Sequence, residues 1–450
     1  MSVDAGKYVD PERGLVWGEI FHSREIYEAE LKNVFGRSWL FLAHDSMIPK
    51  PGDFIQQYMG EDPVVVVRQR DGSVKAFLNQ CRHRGMRICR VDQGNARAFM
   101  CSFHGWTYDT AGNLTSVPHE EEAYPQGLRK EELGPPQVPL LANYKGFIFG
   151  NWDPDAPSLE EYLGDMAWYF DAYVDRYEGG LEAIAVHKWV LPCNWKFNAE
   201  QPASDAYHGE VTHASAMQVM GGGGVPDEEA AQIKPFDGMP FGNQFSSPYG
   251  HGCGWMNLPV PGSGPLHNAW KASMRDHAVE RVGQLRADTV AMHGNIFPNF
   301  MVLANGTMRL THPRGPEEME IWAWTFVPVM APAEVKEEIR VEVLRTFSPG
   351  GMYEQDDAEN WLEEQRIMRG YMARQKPLHY TQHLDTPRTD VNGLPGKTAP
   401  HIYAELGARG MYQHWQDLMS GAPWAEIRKL KALRAEADRA REQQDLTATS

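Results

Sequence analysis

Cysteine is scarce in this chain: five in 450 residues, an odd number with no disulfide-framework spacing. That excludes a small secreted scaffold stapled by bridges. It leads us to expect a cytoplasmic setting, where clustered Cys and His more often bind metal than form disulfides. Long apolar runs are also missing. No stretch reaches the roughly 18 residues that a bilayer demands, so no membrane span is expected. The opening "MSVDAGKYVDPERG" has no basic segment followed by an apolar run, so no signal peptide is expected either. Positive charge is in short supply, with 43 Lys and Arg against 60 Asp and Glu and a formal net charge of −17. A nucleic-acid partner needs a basic face and is not expected. An acidic surface could instead meet a basic protein.

What is present can build a sizeable core, at 42% hydrophobic and 11% aromatic residues. The length is generous for one domain, so two are expected. "SREIYEAELKNVFG" reads as a helix capped by Ser23 and ended by Gly36. From about Ser38 the texture turns to β. Hairpins are expected around Asp71-Gly72, Ala111-Gly112-Asn113 and Lys145-Gly146. After Pro157 the pattern is mixed. "SLEEYLGDMAWYFDAY", the region around His208, "PAEVKEEIRVEVLRTF", "AENWLEEQRIMRGYMARQ" and "WAEIRKLKALRAEADRAREQQ" read as helices, and "GTMRLTHPRGPEEMEIWAWTFVPVM" as two strands. The fold class is α+β. "MGGGGVPDEE" (Met220 to Glu229) is expected to be a mobile loop, and the final "DLTATS" disordered.

Three of the five cysteines crowd into "CRHRGMRICRVDQGNARAFMCSFHGW". The spacing is Cys81-x-His83, then 17 residues, then Cys101-x-x-His104. A Cys2His2 zinc site pairs like with like around a helix. Here each half supplies one Cys and one His, both halves are expected at hairpin tips, and the context is β. Such a set suits a [2Fe–2S] cluster with two Cys on one iron and two His on the other, the Rieske pattern. Gly85 and Gly105 would let backbone N–H groups approach the sulfides, and Trp106 would pack over the cluster. Cys89 fits neither pair and reads as a buried free thiol. A structural zinc site is the competing reading.

A Rieske cluster alone only carries electrons. "NWKFNAEQPASDAYHGEVTHASA" offers a destination, with Glu200, Asp205, His208 and His213. Asp205 and His208 would share a helix face. His208 and His213 are five apart, about 140° of rotation on a regular helix, so the helix must end, bulge or unwind between them. A π-type turn would do it. A facial triad needs a carboxylate as well, and the candidate stretch is "GGMYEQDDAENWLEE". There Asp356 and Asp357 would begin a helix, and their bland reading is as first-turn acids serving the helix dipole. A wholly structural role for His208 and His213 is the matching bland reading.

Together these motifs, with "SWLFLAHDSMIPKPGDF", "YKGFIFGNW", "NIFPN" and "FSPGGMYEQDDAENW", resemble the large (α) subunit of Rieske non-haem iron aromatic-ring-hydroxylating dioxygenases, in the branch acting on biphenyl, phenylpropionate, naphthalene and larger fused aromatics. The likeness covers nearly the whole chain. It implies a small all-β Rieske domain (38–155) inserted in a larger catalytic domain (1–37 and 156–450), whose antiparallel sheet is covered by helices. It implies that Cys81 and Cys101 hold one Rieske iron and His83 and His104 the other, and that His208, His213 and Asp357 hold a mononuclear Fe(II). Asp205 would bridge electrons from a Rieske His of a neighbouring subunit, with Glu200 a supporting acid. Gln201, His293, Phe347 and Tyr353 would line the substrate pocket. Pro202 stands where large apolar residues are common in the family. The implied reaction is cis-dihydroxylation of an aromatic ring with O2. NADH would supply electrons through a separate reductase and ferredoxin, since this chain has neither a strand–GxGxxG–helix unit nor a plant-type cysteine run. The implied assembly is a trimer of α chains, usually with small β subunits as α3β3. Monooxygenation or demethylation, action on an aromatic acid, and a pure electron carrier are the alternatives.

Overall fold

The computed structural model describes residues 3–221, 242–256, 263–288, 291–303, 306–386 and 393–448. Two compact units emerge, one of Phe35–Leu159 and one of Met1–Val34 with Glu160–Ser450. The first is therefore an insertion in the second along the chain.

The inserted unit is built from antiparallel strands. Its largest sheet runs in the order Val74–Leu78, Asp62–Arg68, Asp53–Met59, Gln93–Asn95. Val64 to Val67 are all buried, as expected of a β-branched run. The hairpin at Asp71-Gly72 forms because Gly72 takes a φ of +85° and Asp71 Oδ1 accepts from Ser73 N at 3.0 Å. A second three-stranded sheet orders Leu114–Ser116, Thr107–Asp109 and Ala98–Met100. The third joins Leu140–Tyr144, Phe147–Asn151 and Leu40–His44. Its hairpin turns at Lys145 (φ 50°) and Gly146 (φ 96°), the paired left-handed backbone of a two-residue turn. The core gathers Phe54, Val65, Val67, Phe77, Phe99 and Tyr108, and packs directly on Cys81, Cys89, Cys101 and Trp106.

The second unit centres on an eight-stranded antiparallel sheet. Its order is Leu181–Leu191, Glu318–Pro328, Thr307–Gly315, Phe300–Leu303, Ala291–Ile296, Gly252–Met256, Gly242–Ser246, Lys397–Ala399. Helices pack on it, in keeping with the α+β expectation. One of them, Trp195–Ser204, leads directly into the segment that carries Asp205, His208 and His213. It is gripped from two sides at Ala203, whose carbonyl oxygen lies 2.5 Å from where a Cβ on Gly252 would sit and 2.0 Å from one on Gly407. Only glycine permits that approach. Its first turn is pinned by a fully buried ion pair, Lys196 Nζ to Glu30 Oε1 at 2.7 Å. Trp195 and Trp415 indole N–H groups donate to the same carboxylate at 2.9 and 2.8 Å, so the buried charge is well solvated by protein.

Several expectations need correction. The first helix is α only over Arg24–Glu30, with Ser23 Oγ accepting from Ile26 N, and it continues as a π turn over Leu31–Phe35. The segment "SLEEYLGDMAWYFDAY" makes two helices, Leu159–Leu163 and Met166–Val174, because Gly164 interrupts with φ 48°. The C-terminal helix Trp424–Ala448 runs through four of the six residues expected to be disordered. Of the Met220–Glu229 stretch, Met220 and Gly221 end a helix and the rest lies outside the described residues. Among the described residues no helix is long and apolar enough to cross a membrane.

Candidate metal centres

The two Cys/His loops share a local design that the sequence only half reveals. In the first, Cys81 N donates to Met86 O and Gly85 N to Cys81 O, at 2.8 and 2.9 Å. In the second, Cys101 N donates to Trp106 O and Gly105 N to Cys101 O, at the same distances. Each loop is thus closed by its own cysteine, and each needs a glycine four residues on. Gly85 and Gly105 have φ of 76° and 75°, so they supply left-handed backbone, and their own N–H groups are spent on closing the loops. Only the second loop is a hairpin tip, joining Ala98–Met100 to its partner Thr107–Asp109. The first joins Val74–Leu78 to Gln93–Asn95, which are not neighbours in their sheet.

This closure presents two buried thiols and two outward imidazoles. Cys81 and Cys101 are buried, and burial pushes the Cys81 thiol up. Tyr108 O–H donates to Cys81 Sγ at 3.3 Å and its oxygen accepts from Arg82 N at 3.1 Å. His83 Nδ1 and His104 Nδ1 face each other at 3.1 Å. Trp106 stacks flat on His83, with centroids 5.0 Å apart and planes 8° apart. Two buried soft sulfur donors and two ring nitrogens 3.1 Å apart fit a Rieske cluster in chemistry. Cys89 is buried beside them, but its Sγ donates to Val91 O at 3.4 Å and its backbone N–H to Asn79 Oδ1.

In the other unit the helix Trp195–Ser204 stops just before Asp205. Pro202 stands inside its last turn, where it removes a backbone donor and crowds the turn before it. Asp205 closes the end, its N–H donating to Gln201 O at 2.8 Å. Asp205 and His208 therefore do not share a helix face; they share a loop. Between the histidines lies one short helix, Gly209–Thr212, with His208 and His213 at its two ends and no π turn. Downstream, the helix Met352–Met368 begins after Gly351, so Asp356 and Asp357 are its fifth and sixth residues, beyond the first turn.

With these corrections the candidate ligands come together. His208 Nε2 and His213 Nε2 are 3.3 Å apart, and Asp357 Oδ1 is 3.4 and 3.2 Å from them. A face of an octahedron with bonds of about 2.1 Å has edges of about 3 Å. Asp357 Oδ1 is buried and accepts no hydrogen bond although both imidazoles are near, an orphaned acceptor of the kind a bound cation would satisfy. Burial alone would raise the Asp357 carboxyl, but the two imidazoles hold it well below the usual range. Asp205 is held low by His208 against the opposing effect of burial. A His/His/carboxylate face with open positions fits non-haem iron(II).

The supporting groups are distributed unevenly. Asp205 Oδ2 lies 3.1 Å from His208 Nδ1, and its Oδ1 accepts from His208 N at 3.1 Å. Gln201 is close: its Oε1 accepts from Trp361 Nε1 at 2.6 Å and its Nε2 sits 3.2 Å from His208 Nε2. The Tyr353 ring lies 4.6 Å from the His213 ring, tilted at 50°, and Phe347 lies beyond it at 5.4 Å from Tyr353. His293, on the strand Ala291–Ile296, donates from Nδ1 to Pro202 O at 2.9 Å and so buttresses the helix end. Glu200 does not reach the triad. It accepts from the hydroxyls of Tyr380, at 3.0 and 3.2 Å, and of Tyr412. Sequence reasoning missed Trp361, and it named Asp356 only as one of a pair of candidate acids without a contact; its Oδ2 lies 3.2 Å from His213 Nδ1.

Comparison with known proteins identifies the family. Residues 159–421 match the family described as Ring hydroxylating alpha subunit (catalytic domain), and residues 38–144 match the Rieske [2Fe-2S] domain. The chain is 47% identical over 443 residues to the biphenyl 2,3-dioxygenase subunit alpha of Rhodococcus jostii (strain RHA1), which spans 95% of this chain and 93% of that one. It is 45% identical over 432 residues to the benzene 1,2-dioxygenase subunit alpha of Pseudomonas putida, at 93% and 94% coverage. The solved structure of naphthalene 1,2-dioxygenase with indole bound in the active site superposes with a TM-score of 0.87 at 33% identity, over 96% of this chain and 98% of that one. The chain belongs to the α subunits of the aromatic-ring-hydroxylating dioxygenases, oxidoreductases that use a Rieske [2Fe–2S] cluster and a non-haem iron.

Proposed function

We propose that this chain is the terminal oxygenase that adds both atoms of O2 to an uncharged aromatic hydrocarbon to give a cis-dihydrodiol, and that its substrate lies in the biphenyl and benzene class. The convergence of His208 Nε2, His213 Nε2 and Asp357 Oδ1 carries the reading. The relatives at 47% and 45% identity are named for biphenyl and benzene. An aromatic acid would need a cation in the pocket. The guanidinium beside Phe347, that of Arg309, 5.1 Å from the ring, is already paired with Glu354 and bonded to Asn198. Phe347 and Tyr353 offer ring faces suited to an apolar substrate.

Cys81, His83, Cys101 and His104 would hold the Rieske cluster, and His208, His213 and Asp357 the iron(II). With iron bound, the site supplies one-electron activation of O2. The protein's part is positioning. Asp205 holds His208 beside the triad, its Oδ1 accepting from His208 N at 3.1 Å and its Oδ2 lying 3.1 Å from His208 Nδ1. Asp205 remains partly exposed, and so does His104 in the other unit. Both are free to meet across a subunit boundary in a trimer of α chains, with β subunits as α3β3 and with ferredoxin and reductase as electron donors from NADH. A reducing, cytoplasmic setting fits five cysteines of which none is in a disulfide.

Asp205→Ala tests the bridge. With iron(II) supplied in excess, so that weaker binding at His208 is compensated, both iron centres should be loaded while turnover is abolished; near-normal product formation would remove Asp205 from the electron path. Monooxygenation is the second reading, and products distinguish it. A cis-diol carrying two atoms from 18O2 supports the dioxygenase, whereas a phenol or an aldehyde supports the alternative.

A further inference from the structure

We propose that Asp356 is a positioning residue for the mononuclear centre: it holds the His213 imidazole so that Nε2 faces the triad. The proposal rests on the reading of His208, His213 and Asp357 as ligands. Asp356 and Asp357 are consecutive on one helix, so their side chains leave it about 100° apart. They use that angle to grip opposite edges of one ring. Asp356 Oδ2 is 3.2 Å from His213 Nδ1, while Asp357 Oδ1 is 3.2 Å from His213 Nε2. The Tyr353 ring, 4.6 Å away, supplies a wall. An acid on Nδ1 fixes the proton there and leaves Nε2 as a bare donor. Asp205, an acid in a different segment, comes as close to His208 Nδ1, at 3.1 Å, but without hydrogen-bond alignment. Of the two imidazoles it is that of His213 whose Nδ1 stands in hydrogen-bond geometry to a carboxylate.

The bland account of Asp356, an acid serving the helix dipole, fits its position poorly. It is the fifth residue of Met352–Met368, past the first turn where the dipole acts. Among the described residues, its ion-pair contact is His213 rather than a Lys or Arg.

The test uses the full-length protein loaded with its cluster and with iron(II). A ferrous chelator strips the mononuclear site while the visible spectrum reports that the Rieske cluster is intact. Asp356→Ala should bind the third iron about 10–100-fold more weakly than the parent. Asp356→Asn, whose amide oxygen can still accept from Nδ1, should lose several-fold at most. Nitric oxide bound to the ferrous site gives a second readout, an EPR signal sensitive to ligand orientation. It should change in Asp356→Ala and return toward the parent in Asp356→Asn. If Asp356→Ala does not fold, Asp356→Leu, similar in size but without an acceptor, takes its place: weaker iron binding with a shifted signal supports the proposal, and parent-like behaviour in both readouts overturns it. If Asp356→Ala folds and keeps parent affinity and signal, the proposal is likewise overturned. His213→Ala separates this from the underlying reading, since it must lose the third iron. If it keeps that iron, the triad itself is wrong.

Discussion

Glu200 shows how one residue can set a pH dependence for the whole fold. Burial raises its carboxyl from 4.5 to about 8, although two tyrosine hydroxyls donate to it. The folded protein therefore prefers Glu200 protonated, and the unfolded chain releases that proton near 4.5. Stability contributed by the protonated form is full below about pH 4.5, falls as pH rises toward 8, and is gone above it. Glu200→Gln should flatten the decline in melting temperature between pH 6 and 8, measured by circular dichroism; a variant as pH-sensitive as the parent would show that another group is responsible. The candidate ligands were legible at this scale. Cys81, His83, Cys101 and His104 stand out because a metal centre needs its donors at close spacing. His208 and His213 needed more, since five-residue spacing makes sense only if the helix breaks. Asp356 was not legible, because nothing in "YEQDDAEN" says which acid turns toward which edge of a ring 143 residues upstream.

At the scale of elements, the candidate centre depends on where one helix sits. Gly407→Ala would place a Cβ 2.0 Å from Ala203 O, so either Trp195–Ser204 or Leu406–Met419 must shift. We expect a loss of about 1–3 kcal/mol in unfolding free energy and weaker binding of the third iron. Denaturant melts with iron assays check both, and parent-like values in each would remove this packing contact from the account. Lys196→Met leaves Glu30 buried and short of its cation. It should cost roughly 3 kcal/mol or more, read from the same melts. Hairpins at Asp71-Gly72 and Lys145-Gly146 were readable because turn chemistry is local. The end of a helix at Ser204 was harder to read. Pro202 pointed to it, but the loop after Ser204 takes its shape from Pro202 O receiving His293 and from two distant glycines. The first Cys/His loop was misplaced for a related reason: which strands become neighbours is decided by long-range packing, not by the loop.

For the molecule as a whole, composition narrowed the class and the two motif clusters narrowed it further. A chain this acidic with so few cysteines had little room for any reading but a metalloenzyme once both clusters were seen. The eight-stranded sheet was only partly foreseen, because its strands are scattered between residues 181 and 399 and pair by register rather than by local signal. The account requires about three irons per chain, two in the cluster and one at the triad. His208→Ala should reduce this to about two. The same count from parent and variant would assign the histidines a structural role. The most direct test of the central claim is product analysis by mass spectrometry after turnover of biphenyl or benzene under 18O2, with ferredoxin, reductase and NADH supplied. The account predicts a cis-dihydrodiol in which both hydroxyl oxygens are 18O. A phenol carrying a single labelled atom, formed as the enzyme's direct product, would contradict it.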